Sequence, residues 1–257
     1  MNTQAGLEQC LSFISCQSQS TGKRWLAHES VQRRAVTLSR QTGAGGHAVA
    51  EKLAAYLDKH APSGSCRWTI FDRNLVEKVL EDCHLPKRMA QFMPEDRISE
   101  MADTMDELFG LHPPSWTLVR STADTILRLA ELGNVIVIGR GANIITRKLD
   151  YVFHVRLVGS FERRVANVRG REGLSLKAAR GFVRREDRGR ERYLKKYFLK
   201  DINDPLLYHM TINTDLMPEW EAALMIGEAV VRQEFVSPRP EGPSASKAPG
   251  WVARTRL

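Results

Sequence analysis

Short apolar runs alternate with longer segments of helical periodicity through most of the chain. The strands are predicted at 35–39, 67–71, 135–138, 152–157 and 209–213. The helices are predicted at 48–57, 75–81, 87–108, 117–132, 160–169, 174–197 and 219–235. Strands that alternate with helices predict an α/β fold of three layers, in which a parallel sheet of about five strands has helices on both faces.

The two ends of the chain depart from this alternation. Residues 1–30 contain one short amphipathic segment followed by a polar run, and we interpret them as a helical extension. Residues 237–257 are rich in Pro, Ser, Gly and basic residues, which predicts a disordered basic tail. The domain itself is therefore expected to span 31–236.

Composition narrows the classes of function. The chain of 257 residues is 42% hydrophobic and 26% charged, as is typical of a globular protein. It has no apolar run of the roughly 20 residues that a membrane span needs, and no secretory signal, so we expect a cytoplasmic protein without a membrane partner. The net charge of +8 favours an anionic partner, such as nucleotide phosphates, nucleic acid or a membrane surface.

The four cysteines form no CxxC pair and have no histidine at a metal-ligand spacing. They are Cys10, Cys16, Cys66 and Cys83. We therefore expect inert, reduced thiols and no metal site held by protein side chains.

Three glycines lie in a turn between the first predicted strand and the first predicted helix. Glycines at such a turn allow the backbone to approach an anion, and the helix start directs N–H groups at it. The pattern resembles the G-x-x-x-x-G-K-[ST] phosphate loop, with three departures: Arg40 replaces the first Gly, Gly46 the Lys and His47 the Ser or Thr. A turn that only packs a helix on the sheet is the alternative. The predicted phosphate ligands are Arg40, Gln41, Thr42, Gly43, Ala44, Gly45, Gly46 and His47.

Five segments occur in the order in which similar segments occur in the cytidylate-kinase-like family. They are 40–50, 71–74, 138–143, 184–193 and 208–215, and the resemblance covers about 35–231. The loop of that family also ends in Gly-Gly. The resemblance implies a P-loop NTPase-type fold, ATP as phosphate donor, Mg²⁺ carried with the nucleotide, and a small phosphorylated acceptor such as CMP or another nucleotide.

The same resemblance points to residues for the acceptor. Asp72 resembles an acidic residue of the nucleoside-monophosphate site, although an N-cap role fits it equally well. Arg140, in Gly139-Arg140-Gly141, resembles the arginine that holds the acceptor phosphate, and Arg120 resembles the arginine that joins it. An exposed helix arginine is the alternative for Arg120.

Some residues that read cytosine in cytidylate kinase are replaced. Gly141 and Gly189 stand where that enzyme has aspartates, and Glu77-Lys78 stands where it has a Tyr-Arg pair. The resemblance therefore implies a phosphate acceptor site without a built cytosine pocket.

A basic stretch at about 174–200 resembles the lid of the same kinases. Arg185, Arg188 and Arg192 fall at i, i+3 and i+7, and therefore on one face of a helix. Converging arginines can stabilise a transferring phosphoryl group. A solvated helix with internal ion pairs is the alternative.

Three hypotheses of function remain open. The first is an ATP-dependent phosphotransferase, with the lid arginines partly replacing the absent loop lysine. The second is an inactive nucleotide sensor, which the residues at 46 and 47 favour. The third is a nucleic-acid-binding protein, which we do not expect because the chain has no recognised nucleic-acid motif. The sequence does not predict an oligomeric state.

Overall fold

The computed structural model describes residues 12, 13, 15, 16, 34–62, 64–72 and 117–232. The helices predicted at 75–81 and 87–108, the basic tail and most of the N-terminal extension lie outside these residues. The domain bounds at 31 and 236 therefore stay predictions.

All five predicted strands are present and form one parallel sheet. They are β1 (Ala35–Arg40), β2 (Thr69–Phe71), β3 (Val135–Ile138), β4 (Val152–Val158) and β5 (Met210–Asn213), in the order β2-β3-β1-β4-β5. Every neighbouring pair is parallel. The predicted fold class is thus confirmed, and β1 lies at the centre of the sheet.

Besides residues 12, 13, 15 and 16, which are helical, the described part of the chain contains six helices and one short 3₁₀ turn. The helices are α1 (Gly46–His60), α2 (Thr117–Leu132), α3 (Ala142–Ile145), α4 (Phe161–Glu172), α5 (Leu176–Phe198) and α6 (Glu219–Arg232). The 3₁₀ turn spans Pro205–Leu207. The sequence did not predict α3, because four residues are too few to show a helical period.

Each face of the sheet has its own hydrophobic core. Along β3, Val135 and Val137 pack with α2 and α3, whereas Ile136 and Ile138 pack with α1 and α6. Because both faces are covered, all four residues of β3 are buried. Two covered faces confirm the predicted three layers.

The expectation of reduced cysteines is wrong for two of the four. Cys16 and Cys66 form a disulfide that spans 50 residues of sequence. Beside it, Phe13 packs edge-on against Phe71 at the end of β2, with ring centroids 5.7 Å apart. Sequence spacing alone could not reveal this pair, because packing of the N-terminal segment on the sheet brings the two thiols together.

Within the described ranges, no helix combines the length and the apolar character that a membrane crossing requires.

Two histidines contact each other where β4 meets the start of β5: His154 on β4 is buried, and His209 beside it is exposed. The Nδ1 atom of His154 on β4 is 2.8 Å from the Thr37 hydroxyl on β1. The backbone N–H of His154 donates to Nδ1 of His209 at 2.9 Å. Burial, and to a smaller degree His209, lowers the pKa of His154 to about 3. Burial also lowers the pKa of His209.

The buried histidine predicts a dependence of stability on pH. The folded state binds fewer protons than the unfolded chain, in which His154 titrates near its ordinary pKa of 6.5. The unfolding free energy therefore falls as the pH drops from about 6.5 towards 3, with a loss of about 2 kcal/mol from His154 by pH 5. Urea titrations at pH 7.5 and pH 5 measure it. His154→Gln should reduce this loss and exposed His60→Gln should not; equal losses in both variants would refute the assignment.

Candidate functional site

The loop between β1 and α1 is shaped by two glycines in the left-handed region. Gly43 has a φ of +83° and Gly45 a φ of +76°. A Cβ atom on Gly43 would lie 2.3 Å from the backbone oxygen of Arg164, so no side chain fits there. Gly45 is the N-cap of α1 and has no side chain to accept from the first helical amides. These amides can therefore face an anion. We call residues 40–47 the phosphate loop.

A second tight turn follows the neighbouring strand β3. Gly139, Arg140 and Gly141 have φ values of +82°, +57° and +70°. Arg140 is the unusual member, because a left-handed conformation costs a residue with a side chain about 1–2 kcal/mol. Such strain is concentrated at functional sites. We call residues 139–141 the GRG turn.

A cavity of about 410 Å³ opens beside both turns, at the carboxyl ends of β1 and β3. In open α/β sheets this end of the strands is where ligands bind. The charged residues that line the cavity are five arginines and one carboxylate: Arg40, Arg140, Arg185, Arg190, Arg192 and Glu186. We call it the arginine cavity, and its charge suits a phosphorylated ligand.

Burial and the neighbouring charges change the pKa of Arg40. Arg40 loses proton affinity chiefly because it is buried, and Arg190 and Arg140 repel its charge in addition. Asp72 and Glu186 act in the opposite direction, and the net result lowers the pKa of Arg40 to about 10. Arg40 therefore stays charged at neutral pH in a site that already concentrates positive charge.

Helix α5 contacts the phosphate loop through the carboxylate of Asp187. Oδ1 of Asp187 accepts from the backbone N–H of Thr42 at 2.8 Å and from its hydroxyl at 2.7 Å. Nη1 of Arg164 donates to Oδ2 of Asp187 at 2.6 Å and to the backbone oxygen of Thr42 at 3.0 Å. Arg190 also donates to the Thr42 hydroxyl. The contact holds a negative group against an amide of the loop.

The other loop residues predicted from the sequence surround this contact. Oε1 of Gln41 accepts from the backbone N–H of Gly159 at 3.0 Å, which ties the loop to the end of β4. Ala44 is buried in the core that α1 and α6 share. Nε2 of His47 lies 3.6 Å from Oδ2 of Asp72, so the loop end and the residue after β2 are adjacent.

The remaining predicted residues are only partly brought together. Arg140, Arg185 and Arg192 line the arginine cavity. Arg188 is exposed and is not among the described residues that line it. Arg120 lies on α2, is exposed, and is not one of the described lining residues either.

Four residues of the site were not predicted. Arg190 and Asp187 lie between the chosen arginines on α5, but off the helix face that the i, i+3 and i+7 spacing selects, so the helical phase excluded them. Arg164 is a buried arginine of α4, and no local pattern marks it. Asn143 lines the cavity, and its side-chain Nδ2 is buried without a hydrogen-bond partner among the described residues. The signal for Asn143 was its place two residues after the GRG turn.

No group of three or more His, Cys, Asp or Glu residues that could hold a metal ion occurs in the described part of the chain.

A sequence model of the cytidylate kinase-like family matches residues 35–216. The chain belongs to this family. The match runs from the first residue of β1 to the turn after β5, so it includes the phosphate loop, the GRG turn and the whole of α5. The resemblance drawn from the sequence is therefore confirmed.

A curated protein named cytidylate kinase is similar to part of the chain. The cytidylate kinase of Thermoplasma acidophilum is 31% identical over 111 residues, which are 41% of this chain and 58% of that protein. The match thus spans less than two thirds of the length of the Thermoplasma protein. The name of this relative agrees with the family that the sequence model gives.

Solved structures show a similar fold. An uncharacterized protein from Eubacterium ventriosum superposes with a TM-score of 0.56 at 21% identity, over 77% of this chain and 98% of that chain. Shikimate kinase from Bacteroides thetaiotaomicron covers the same shares at 14% identity with a TM-score of 0.40. At these identities the first likeness shows the fold alone, and the second carries no further weight.

The packing of the GRG turn predicts different responses at two glycines. A Cβ atom on Gly141 would lie 2.7 Å from Cε2 of Phe198, at a φ of +70°. We expect Gly141→Ala to lower the unfolding free energy by about 2 kcal/mol. The control is Gly189→Ala within α5, where a Cβ atom would meet nothing within 4 Å. That change should be neutral or stabilising by up to about 1 kcal/mol. Chemical denaturation measures both, and equal effects would contradict the packing.

Proposed function

We propose that the protein is an ATP-dependent phosphotransferase that moves the γ-phosphoryl group of ATP to a small phosphate-bearing acceptor. The observation that carries the proposal is the arginine cavity, which opens between the phosphate loop and the GRG turn. A donor on the loop and an acceptor in the cavity would meet at the ends of adjacent strands. Phosphoryl transfer needs chiefly such positioning and charge neutralisation.

The donor would bind along the phosphate loop. The amides from 43 to 47 would hold the β- and γ-phosphates, as the left-handed glycines and the start of α1 suggest. In the reaction, an acceptor oxygen forms a bond to the γ-phosphorus while the bond from that phosphorus to the β–γ bridging oxygen breaks. ADP leaves with the electron pair, and any proton on the acceptor oxygen goes to solvent.

The acceptor would bind in the arginine cavity. Arg140 is the proposed ligand of its phosphate, because it lines the cavity and a guanidinium can donate to two oxygens at once. Asp72 is proposed as a further residue that binds the acceptor. Arg120 is proposed as another, although it is not among the described residues that line the cavity. Arg185, Arg188 and Arg192 are proposed to act from α5 as a lid over the transferring group.

Magnesium would enter with the nucleotide. It usually binds through one or two carboxylates together with the substrate phosphates. Asp187 contacts the loop at Thr42 and Asp72 contacts it at His47, so one carboxylate stands at each end. These two residues would hold the ion, directly or through water, and the ion would neutralise phosphate charge.

The replaced base-reading residues predict a broad acceptor preference. Gly141 packs against Phe198 and Gly189 adds no side chain, so neither can donate to or accept from a cytosine ring. We expect CMP to exceed UMP, dCMP, AMP and GMP in kcat/KM by less than about a hundredfold, or ~2.7 kcal/mol. A coupled ADP-release assay across these nucleotides and small phosphorylated metabolites measures the preference. A larger advantage of CMP would refute it.

A separate prediction assigns Arg140 to the acceptor and the α5 arginines to the transition state. Arg140→Ala should raise the KM for the best acceptor by about tenfold or more, with a smaller change in kcat. Arg192→Ala should instead lower kcat by about 10²-fold. Steady-state kinetics on both variants tests this, with exposed Arg171→Ala on α4 as control. Unchanged acceptor KM in Arg140→Ala would reject the acceptor assignment.

A nucleotide sensor without turnover is the second candidate. It is favoured by the hydrogen bonds of Asp187 to the loop at Thr42, together with the glycine at 46. Binding of Mg·ATP without ADP release on any acceptor in the screen would select the sensor.

We also propose a cytoplasmic site of action, where ATP is supplied. The disulfide between Cys16 and Cys66 runs against it, because most cytosolic proteins keep their thiols reduced. Thiol labelling of protein taken directly from cells decides the matter: a fully oxidised pair would contradict a reducing compartment.

A further inference from the structure

The phosphate loop lacks the lysine that usually neutralises the β- and γ-phosphates, and the packing around Gly46 accounts for its absence. A Cβ atom on Gly46 would lie 3.0 Å from Cγ of Arg40 and 3.4 Å from both Cβ and Cδ. The stem of Arg40 therefore lies directly across the α-carbon of Gly46. A lysine at 46 would have to displace it.

The far end of the same side chain reaches the GRG turn. A Cβ atom on Gly139 would lie 2.3 Å from Nη1 of Arg40 and 3.3 Å from its Cζ. Two glycines from two different turns thus leave the space that one arginine fills. Arg40 ends β1, and its guanidinium lies between the phosphate loop and the GRG turn.

The surroundings of this guanidinium are those of a ligand site. It lines the arginine cavity together with Arg140 and Arg190, whose charges repel it, while Asp72 and Glu186 attract it. Among the described residues, no side chain forms a hydrogen bond or an ion pair with it. Repulsion among the three arginines disfavours the empty protein to the extent that these carboxylates do not balance it, and a polyanion bound among them would offset that cost.

We propose that Arg40 takes the part of the missing lysine and contacts the phosphates of the bound nucleoside triphosphate from the acceptor side. The inference rests on the proposed function, because it needs a triphosphate on the loop. The positive charge on the phosphates would then come from the last residue of the strand before the loop, rather than from the first residue of the helix after it. A planar guanidinium at this point can donate to the γ-phosphate and to the acceptor phosphate together.

Because the side chain of Arg40 lies against Gly46, changes at these two positions can separate a role of Arg40 in phosphate binding from a purely structural role. Arg40→Gly removes both the charge and the obstruction. Adding Gly46→Lys to that variant restores a charge from the usual position, in the space that Arg40 has vacated. The measurement is the Kd for Mg·ATP by calorimetry on the full chain, with the thermal unfolding temperature of each variant without ligand.

We expect Arg40→Gln and Arg40→Gly to weaken Mg·ATP binding by about tenfold or more. The double variant Arg40→Gly/Gly46→Lys should recover at least about tenfold over Arg40→Gly. The control is Arg128→Gln, a partly buried arginine paired with Asp124 on α2, which should bind as the parent does. Should Arg40→Gln not fold, Arg40→Met keeps the stem over Gly46 and allows the same comparison.

The outcomes separate this inference from the proposed function. If the parent protein binds neither Mg·ATP nor Mg·tripolyphosphate, both fail. If the parent binds and Arg40→Gln binds equally well, only the role of Arg40 is overturned. A double variant no better than Arg40→Gly would show that lysine at 46 and arginine at 40 are not equivalent, and would also overturn it.

Discussion

The central strand β1 pairs with β3 on one side and with β4 on the other, and all three run in the same direction. The turn after β1 must therefore lie beside the turn after β3, and their glycines allow the two backbones to approach each other. Arg40, the last residue of β1, occupies the space between them. The arginine cavity, the position of Arg140 and the contacts of α5 all depend on this arrangement of parallel strand ends.

The sequence predicted the parts of the fold that have a strong local signal. The continuous apolar run 135–138 identified the buried strand β3, and the loop with three glycines marked the end of β1. Arg140 was predicted as a phosphate ligand from the family resemblance, and it lies in the turn at the carboxyl end of β3, where open α/β sheets place their ligands. These predictions needed only periodicity, glycine chemistry and one family resemblance.

Other parts of the site depend on contacts between distant residues. Asp187 contacts Thr42, 145 residues away, and Arg164 contacts the same loop from α4. The helical period placed Arg185, Arg188 and Arg192 on one face, yet the cavity receives Arg190 rather than Arg188 because the packing of α5 sets its rotation. The disulfide between Cys16 and Cys66 likewise needed the fold to become visible.

The hydrogen bonds between Asp187 and Thr42 change what nucleotide affinity means in this protein. In the free protein the backbone N–H of Thr42 already donates to the carboxylate of Asp187. A phosphate that accepts from this N–H would therefore replace one negative group with another. The carboxylate stays on α5 beside Arg164 and Arg190, so the site that attracts a nucleotide carries less net positive charge than its arginines alone would give. Salt screens the attraction of that smaller net charge. Nucleotide binding to this loop should therefore depend less on ionic strength than the number of arginines suggests.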